Sequence, residues 1–294
     1  MMISIKEEKC TSCGLCIPVC VRKILEPGEK GIRITDPSLC LACGQCKAVC
    51  PTDAPDLPGL NDQFTPIPLK REMPSPTALF QLLRKRRSLR VYQDQPVERE
   101  KLKRLVEAGR YAPTGANRQS CEYIVVSGRK ILDSVCTLAT QVLQEQGRKI
   151  REAVERCRKA KKPLTEELNS QQYFPAVWDR IAKKWKEGKD QLLHQAPALV
   201  LIHLRENTAT TPDLDAGIAA TQMVLMAEAL GLGTCFIFFL VRTLQESKEL
   251  QSLLKIPGNH RVYVALTVGY PAVTYLRFVG RRPAKVEWIG DFSE

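Results

Sequence analysis

Eight of the twelve cysteines lie within the first fifty residues, in two copies of one spacing. The segment from Cys10 to Cys20 reads C-x2-C-x2-C-x3-C, and the segment from Cys40 to Cys50 repeats this spacing with six of eleven positions identical. Three thiolates at three-residue spacing can wrap a loop around three iron corners of a cubane, while the fourth cysteine is carried onto a helical turn that points away. About 55 residues cannot bury much of a core, so metal ligation must supply much of this segment's folding free energy.

Zinc sites and disulfides explain these cysteines less well. Zinc prefers two cysteine pairs with a longer gap between them, not four thiols in eleven residues. Disulfides need an oxidising compartment, and residues 1–9 contain no apolar export signal. The spacing therefore favours iron–sulfur clusters, and we expect a cytoplasmic protein of an anaerobic prokaryote.

The duplicated segment resembles the bacterial two-cluster ferredoxins, in which the fourth cysteine of each copy binds the other cluster. Val21 stands where the second copy has Pro51, a departure that affects a turn and not a ligand. The resemblance implies two [4Fe-4S] clusters, the first held by Cys10, Cys13, Cys16 and Cys50 and the second by Cys40, Cys43, Cys46 and Cys20.

The formal charge of +12 lies entirely after residue 60, because residues 1–60 carry seven basic and seven acidic side chains. A basic chain can indicate nucleic-acid binding, but no nucleic-acid-binding motif accompanies the charge. No run of 18 apolar residues occurs, so we expect no membrane span. Residues 147–190, with thirteen basic and seven acidic side chains, predict a basic helical insertion that is either a solvated excursion or a lid over a pocket.

Seven prolines between Pro51 and Pro76 indicate a stiff linker. We therefore expect three parts: a two-cluster domain at 1–58, the linker at 59–76 and a larger domain at 77–294. Ser75-Pro76 has the pattern of a helix N-cap followed by proline. Further helices are predicted at 97–109 and 211–230, and strands at 123–127, 197–204 and 262–268. Helices interleaved with strands predict an α+β or α/β sandwich.

Five basic residues and a serine stand together at 84–90, where the first predicted helix ends. The dipole of a helix C-terminus would explain two or three cations, but not five. The alternative is a phosphate-binding site, in which guanidinium groups and a hydroxyl surround the dianion. Four further short motifs follow in the chain, at 112–119, 231–234, 269–271 and 281–283. In order and spacing, this set resembles the nitroreductase family of FMN enzymes across residues 77–294.

This second resemblance implies an α+β, nitroreductase-like FMN-binding sandwich that forms an intertwined homodimer, with the FMN sites built across the interface. It assigns the FMN phosphate and ribityl chain to Arg86, Arg87 and Ser88, with Arg281 also at the phosphate. It assigns the pyrimidine edge to Arg90 and the ring system to Asn117. Phe238 and Phe239 lie where the family often offers a backbone N–H to flavin N5. We expect one of their amides to serve there and their rings to narrow the flavin face.

Both resemblances together predict an oxidoreductase in which a low-potential donor feeds electrons through the clusters to FMN and on to a small organic acceptor. Nitroaromatics, quinones, activated alkenes and halogenated compounds are all compatible acceptors. The donor is either ferredoxin or NAD(P)H, although no Gly-x-Gly-x-x-Gly follows a predicted strand. The alternative is a non-catalytic electron-transfer or redox-sensing protein.

No side chain is predicted to be catalytic, because the chemistry takes place at the flavin. His194, His203 and His260 lack metal-ligand spacing and are predicted to be structural. The cysteines outside the repeat, at 121, 136, 157 and 235, are predicted to be ordinary thiols.

The first testable prediction is the cofactor content of the anaerobically purified protein. Two four-iron clusters require about eight irons and about eight sulfides per chain, with one FMN. Chemical iron and sulfide assays and flavin absorbance measure this content. Fewer than about four irons per chain would contradict the two-cluster interpretation.

Overall fold

The computed structural model of this chain describes residues 3–60 and 64–292. Part of the predicted linker, residues 61–63, lies outside the described residues. We call residues 3–60 the N-terminal module and residues 76–292 the C-terminal domain.

The N-terminal module folds as two similar halves around the repeated cysteines. Its elements are β1 (Ser4–Ile5), α1 (Cys16–Val19), β2 (Leu25–Gly28), β3 (Gly31–Ile34), α2 (Gln45–Ala48) and β4 (Pro55–Asp56). β1 pairs with β4 and β2 with β3, both antiparallel. The repeat is also visible in the backbone, since Gly14 and Gly44 both adopt a left-handed conformation, with φ of 73° and 76°.

The C-terminal domain contains most of the secondary structure. Its helices are α3 (Pro76–Lys85), α4 (Arg99–Arg110), α5 (Arg129–Lys159), α6 (Glu166–Gln171), α7 (Phe174–Lys186), α8 (Pro212–Ala229), α9 (Phe238–Glu246) and α10 (Lys248–Leu253). Its strands are β5 (Glu122–Ser127), β6 (Ala198–Arg205), β7 (Gly233–Phe236) and β8 (His260–Gly269). The predicted helices and strands are confirmed to within two or three residues at their ends.

One antiparallel sheet, in the order β5-β6-β8-β7, lies at the centre of this domain. Strand β6 is buried on both faces. Leu199 and Leu201 point into a core formed with α5, α7, α9 and α10, whereas Val200 and Ile202 point into a core formed with α4 and α8. A sheet covered by helices on both faces is an α+β sandwich, which confirms the predicted fold class.

Helix α8 begins and ends where its sequence predicts. Pro212 occupies the first helical turn. At the other end Gly231 has a φ of 74°, and the backbone N–H of Leu232 donates to Ala227 O over 2.8 Å. This is the Schellman arrangement, which glycine permits without strain.

Residues 147–190 are helical, as predicted, but they are also anchored in the domain core. Trp178 on α7 has no exposed surface, and its ring lies 6.0 Å from Phe239 of α9 and under the guanidinium of Arg242 at 5.3 Å. The predicted solvated excursion is therefore solvated on one face only. The lid interpretation stays a prediction.

Two other features complete the description of the fold. After β8, the described residues up to 292 form no helix or strand and are almost entirely exposed. No helix within the described residues is long and apolar enough to cross a membrane.

The close packing of Gly233 on β7 generates the second prediction. A Cβ atom at this position would lie 2.3 Å from Leu89 Cδ2 and 2.9 Å from Leu89 Cβ. We expect Gly233→Ala to lower the free energy of unfolding by about 1–3 kcal/mol, because the added methyl group must displace Leu89. Chemical denaturation followed by tryptophan fluorescence measures this loss.

Gly258→Ala is the matched control for this substitution. Nothing lies within 4 Å of a Cβ atom at Gly258, and its φ is not positive. We expect this variant to keep or slightly raise the free energy of unfolding. Equal destabilisation by both alanines would contradict the steric explanation.

Candidate cofactor sites

The first of two small cysteine-lined pockets lies in the N-terminal module between β1, β3 and α1. The structure brings together Cys10, Cys13 and Cys16 from the first copy with Cys50 from the second. Ile5, Ile32 and Pro55 form part of the apolar wall. Four thiols in a pocket with apolar walls have the ligand number that a [4Fe-4S] cluster requires.

The second pocket repeats this arrangement with the copies exchanged. Cys40, Cys43 and Cys46 come from the second copy and Cys20 from the first. Ile3, Leu25 and Leu57 contribute apolar walls. The eight cysteines are thus divided into the two groups of four that the sequence predicts, although their ligation of iron stays a prediction.

The protonation of these thiols depends on burial and on backbone donors. Burial raises the pKa of Cys46 to about 11 and also raises the pKa of Cys16. Burial acts in the same direction at Cys50, but the Ala54 N–H, which donates to its Sγ over 3.3 Å, and the Thr52 hydroxyl outweigh it and lower the pKa. The most buried thiols would therefore be neutral without a metal ion, and iron must displace their protons when it binds.

A basic cleft of about 780 Å³ lies at the end of α3, within the size range of small-molecule sites. Of the predicted cofactor residues, the structure brings Arg86, Arg87, Ser88, Arg90 and Arg281 together in its lining. No Asp or Glu from the described ranges is among the lining residues. The residues present fit a ligand that carries a phosphate group.

Hydrogen bonds to the sheet hold the serine of this basic segment in place. Ser88 pairs with Thr234 of β7 as an isolated bridge, and the backbone N–H of Leu89 donates to Thr234 O over 2.8 Å. The Tyr92 hydroxyl donates to Leu89 O over 2.9 Å. The segment after α3 thus continues along the edge of the sheet, which places Ser88 at the cleft.

The five cations of residues 84–90 have different roles in the structure. Lys85 pairs with Glu228 over 2.9 Å. The guanidinium of Arg84 lies over the Phe278 ring at 4.3 Å, and that of Arg87 lies over the Tyr275 ring at 4.5 Å. Arg84 and Arg87 therefore hold the C-terminal segment against the cleft, a role that the sequence did not indicate.

Three of the predicted flavin-binding residues lie outside the lining of this cleft. The side-chain amide of Asn117 donates to carbonyl oxygens of the N-terminal module. Phe238 is 68% exposed and stacks on Phe236, and Phe239 packs on Trp178. Their roles at the flavin ring stay predictions.

Two histidines that are far apart in the sequence are neighbours in the structure. His203 Nδ1 and His260 Nδ1 are 2.8 Å apart, and His260 Nε2 lies 3.9 Å from Glu122 Oε1. Burial, followed by the proximity of His260, lowers the pKa of His203. The ligand atoms of Glu122, His203 and His260 lie within 4.8 Å of one another, a spacing that could also hold a metal ion, so the structural role predicted for the two histidines stays a prediction. Strand pairing between β5, β6 and β8 brings the three side chains together.

Two groups of four thiols in one part of the chain and a basic cleft in the other are what a redox protein with two kinds of cofactor requires. The model of the nitroreductase family matches residues 83–270, more than half of the chain. The chain therefore belongs to the nitroreductase family. The model of the 4Fe-4S dicluster domain matches residues 9–54.

Individual relatives are distant in sequence. A protein of Archaeoglobus fulgidus named NADH dehydrogenase/NAD(P)H nitroreductase is 24% identical over 186 residues, which cover 63% of this chain and 81% of that protein. Iodotyrosine deiodinase 1 of Rattus norvegicus is 25% identical over 203 residues. The match covers 66% of this chain but only 62% of the deiodinase.

Two solved structures share the fold of the C-terminal domain. A nitroreductase of Bacteroides fragilis with bound FMN superposes with a TM-score of 0.53 at 20% identity, covering 72% of this chain and 98% of that one. An oxidised iodotyrosine deiodinase bound to FMN and 3-iodo-L-tyrosine superposes with a TM-score of 0.50 at 19% identity, covering 72% and 99%.

The third prediction concerns the anion affinity of the basic cleft. We expect Arg86→Ala to weaken FMN binding by about 10- to 100-fold, because a charge-assisted hydrogen bond to phosphate contributes about 1.5–3 kcal/mol. Titration of the flavin-free protein with FMN, followed by quenching of flavin fluorescence, measures the affinity.

Arg99→Ala provides the matched control, because Arg99 is an exposed arginine at the start of α4 that does not line the cleft. It should leave FMN affinity within about twofold. If Arg99→Ala weakened binding as much as Arg86→Ala, the effect would come from net charge and not from the cleft.

Proposed function

We propose that this chain is an FMN-dependent oxidoreductase that passes electrons from a low-potential donor through two [4Fe-4S] clusters to FMN and on to a small organic acceptor. The observation that carries the proposal is the direct contact between the two parts of the chain. Asn117 of the C-terminal domain donates hydrogen bonds to Leu41 and Ala42, which lie between two cysteines of the second pocket. An electron path through one chain needs such a contact.

The residues of the basic cleft would hold FMN by its phosphate. Arg86, Ser88, Arg90 and Arg281 offer guanidinium and hydroxyl donors, and Arg87 keeps the C-terminal segment beside them. Bound FMN would supply the redox chemistry, since a flavin can exchange electrons singly with a cluster and in pairs with an organic acceptor. The protein's contribution is to orient the flavin and exclude water from it.

The four-cysteine groups support two clusters rather than one. Each pocket contains a complete set of four thiols, with the fourth supplied by the other copy of the repeat. Backbone N–H groups of Ala42 and Ala54 donate to Cys40 Sγ and Cys50 Sγ over 3.4 and 3.3 Å. Such donors stabilise the negative charge of thiolate ligands.

Exposed apolar side chains support a homodimer. On α3, Leu79, Phe80 and Leu83 are exposed, and in the C-terminal segment Leu276 and Ile289 are each 83% exposed. A single chain gains nothing from exposing this much apolar surface, whereas a second copy would bury it. Sedimentation of a species with the 33.0 kDa mass of one chain would contradict the dimer.

The acceptor belongs to the class of small reducible organic molecules. The printed names of the relatives include nitroreductases and an iodotyrosine deiodinase, so both nitroaromatic and halogenated aromatic compounds belong in the set of candidate acceptors. Quinones and activated alkenes are the other candidates. Reduced ferredoxin and NAD(P)H are the candidate donors.

The fourth prediction tests this function by anaerobic stopped-flow absorbance. Reduced ferredoxin, NADH and NADPH are mixed separately with the holoprotein, and each acceptor is then added. We expect at least one donor to bleach the cluster and flavin absorbance and at least one acceptor to restore it over many turnovers.

The competing function is a redox sensor or an electron carrier for a protein partner. In that case the donor would bleach the flavin, but no small acceptor would reoxidise it in steady turnover. That outcome would contradict the enzymatic proposal while leaving the cofactor assignment intact.

A further inference from the structure

The two parts of the chain are joined by a pair of hydrogen bonds at one cysteine loop. Asn117 Nδ2 donates to Leu41 O over 3.1 Å and to Ala42 O over 3.0 Å. Within the described ranges, these are the only hydrogen bonds from the C-terminal domain to either cysteine loop, 10–16 or 40–46. The two loops are similar in sequence and backbone, so this contact distinguishes the second loop from the first.

One of these hydrogen bonds continues to a cysteine sulfur. The carbonyl of Leu41 and the N–H of Ala42 are the two ends of one peptide group. Asn117 donates to the carbonyl, and the Ala42 N–H donates to Cys40 Sγ over 3.4 Å. Because hydrogen bonds in a chain polarise one another, the Asn117 amide strengthens the N–H···S bond at Cys40.

The loop that presents Asn117 is held in a strained conformation. Ala116, Asn117 and Gln119 all adopt left-handed backbone conformations, with φ of 53°, 52° and 50°. Such conformations persist in residues other than glycine only where the surroundings hold them, and they cluster at functional sites.

The surrounding residues provide this restraint. The backbone N–H of Gly115 donates over 3.0 Å to Asp215 Oδ1, and Asp215 is only 1% exposed. The backbone N–H of Gln119 donates to Thr114 Oγ1 over 2.9 Å. A buried carboxylate at the start of α8 thus fixes the loop from which Asn117 reaches the N-terminal module.

We infer that Asn117 is a positioning residue that holds the second cluster loop on the C-terminal domain, raises the reduction potential of that cluster and makes it the one that passes electrons onward. This inference rests on the proposed function, in which the two groups of cysteines hold [4Fe-4S] clusters.

The direction of the effect follows from charge. A reduced cluster carries one more negative charge than an oxidised cluster, so a stronger N–H···S bond favours the reduced form and raises the potential. In the proposed function, one electron would leave the second cluster for each electron that FMN gains. Two such transfers, with protons from water, would complete the reduction of FMN, and the external low-potential donor would replace the electrons.

The test compares two glycine substitutions in the same strained loop of the holoprotein. Asn117→Gly removes the amide but permits the left-handed backbone. Gln119→Gly makes the same kind of change at an exposed position, where the hydrogen bond is made by the backbone N–H to Thr114 and does not depend on the side chain. Cys13→Ser and Cys43→Ser, each in one pocket, assign the two electron paramagnetic resonance signals to their clusters.

Redox titration followed by these signals should show a lower potential for the second cluster in Asn117→Gly, and no change for the first cluster. We expect a three- to tenfold change in the equilibrium for reducing the second cluster, where tenfold corresponds to 59 mV for a one-electron couple. The rate of FMN reduction by the donor should fall, and Gln119→Gly should match the unsubstituted protein in every measurement.

A second measurement does not depend on the clusters being reduced. Hydrogen exchange read by mass spectrometry should become faster at residues 40–43 in Asn117→Gly, and it should stay unchanged at residues 10–13. Gln119→Gly should leave both loops unchanged.

Three results would overturn the inference. In the first, Asn117→Gly changes neither the reduction potential of the second cluster nor the hydrogen exchange of residues 40–43. In the second, the paramagnetic resonance signal whose potential shifts is the one that Cys13→Ser alters. In the third, Gln119→Gly has the same effect as Asn117→Gly. Each of these would leave the proposed function standing. A holoprotein with fewer than about four irons would instead contradict the proposed function itself.

Discussion

The rest of the N-terminal module depends on one constraint: each half supplies one cysteine to the pocket of the other half. Each pocket contains three thiols from one copy of the repeat and a fourth from the other. Neither half can complete its pocket alone, so the two copies must fold together. The apolar core is small, with Ile3, Ile24, Leu25 and Leu57 as its main buried members. Iron ligation across the halves, as proposed above, would compensate for so small a core.

The positive charge of the chain serves structure and ligand binding in different places. At the end of α3, Arg84 and Arg87 stack on aromatic rings of the C-terminal segment, and Lys85 pairs with Glu228. Arg86, Arg90 and Arg281 line the same cleft and make no such contact with an aromatic ring or an acidic side chain among the described residues. In residues 147–190, several cations form surface ion pairs, such as Arg151 with Asp179 over 2.7 Å. Such exposed pairs contribute little to stability, so they do not explain the basic surface of this segment.

The contact at Asn117 connects the two parts of the chain, and a buried side chain, that of Asp215, supports the loop that makes it. Asp215, at the start of α8, fixes Gly115, and the strained loop that follows presents the Asn117 amide to the carbonyls of the N-terminal module. Helix α8 is in turn held by the sheet, since Met223 and Ala220 pack in the same core as Val200 and Ile202 of β6. The second cysteine loop is thus hydrogen-bonded to a loop that the core of the C-terminal domain holds, in addition to being joined to that domain through the proline-rich linker.

The sequence by itself determined the repeat, the approximate boundaries of several elements and the basic segment after α3, whereas the division of the cysteines into two groups came from the resemblance to the two-cluster ferredoxins. These signals are local, because each can be recognised without knowing a distant partner. They are the cysteine spacing, the Ser-Pro pair at a helix start, the glycine at a helix end and the apolar runs of the strands. The first half of the 31-residue helix α5 was not predicted, although its buried Leu132, Val135, Ala139 and Leu143 have the apolar spacing of a helix. Strand β7 was missed because four residues that include a glycine become a strand only by pairing with β8.

Only the tertiary structure decided which side chains meet. Asn117 contacts Leu41 and Ala42, which lie 76 and 75 positions earlier in the chain. His203 contacts His260, which lies 57 positions later. Arg87 reaches a segment about 190 residues away. Contacts over such distances depend on how the sheet and helices pack, and residue spacing along the chain carries no information about that packing.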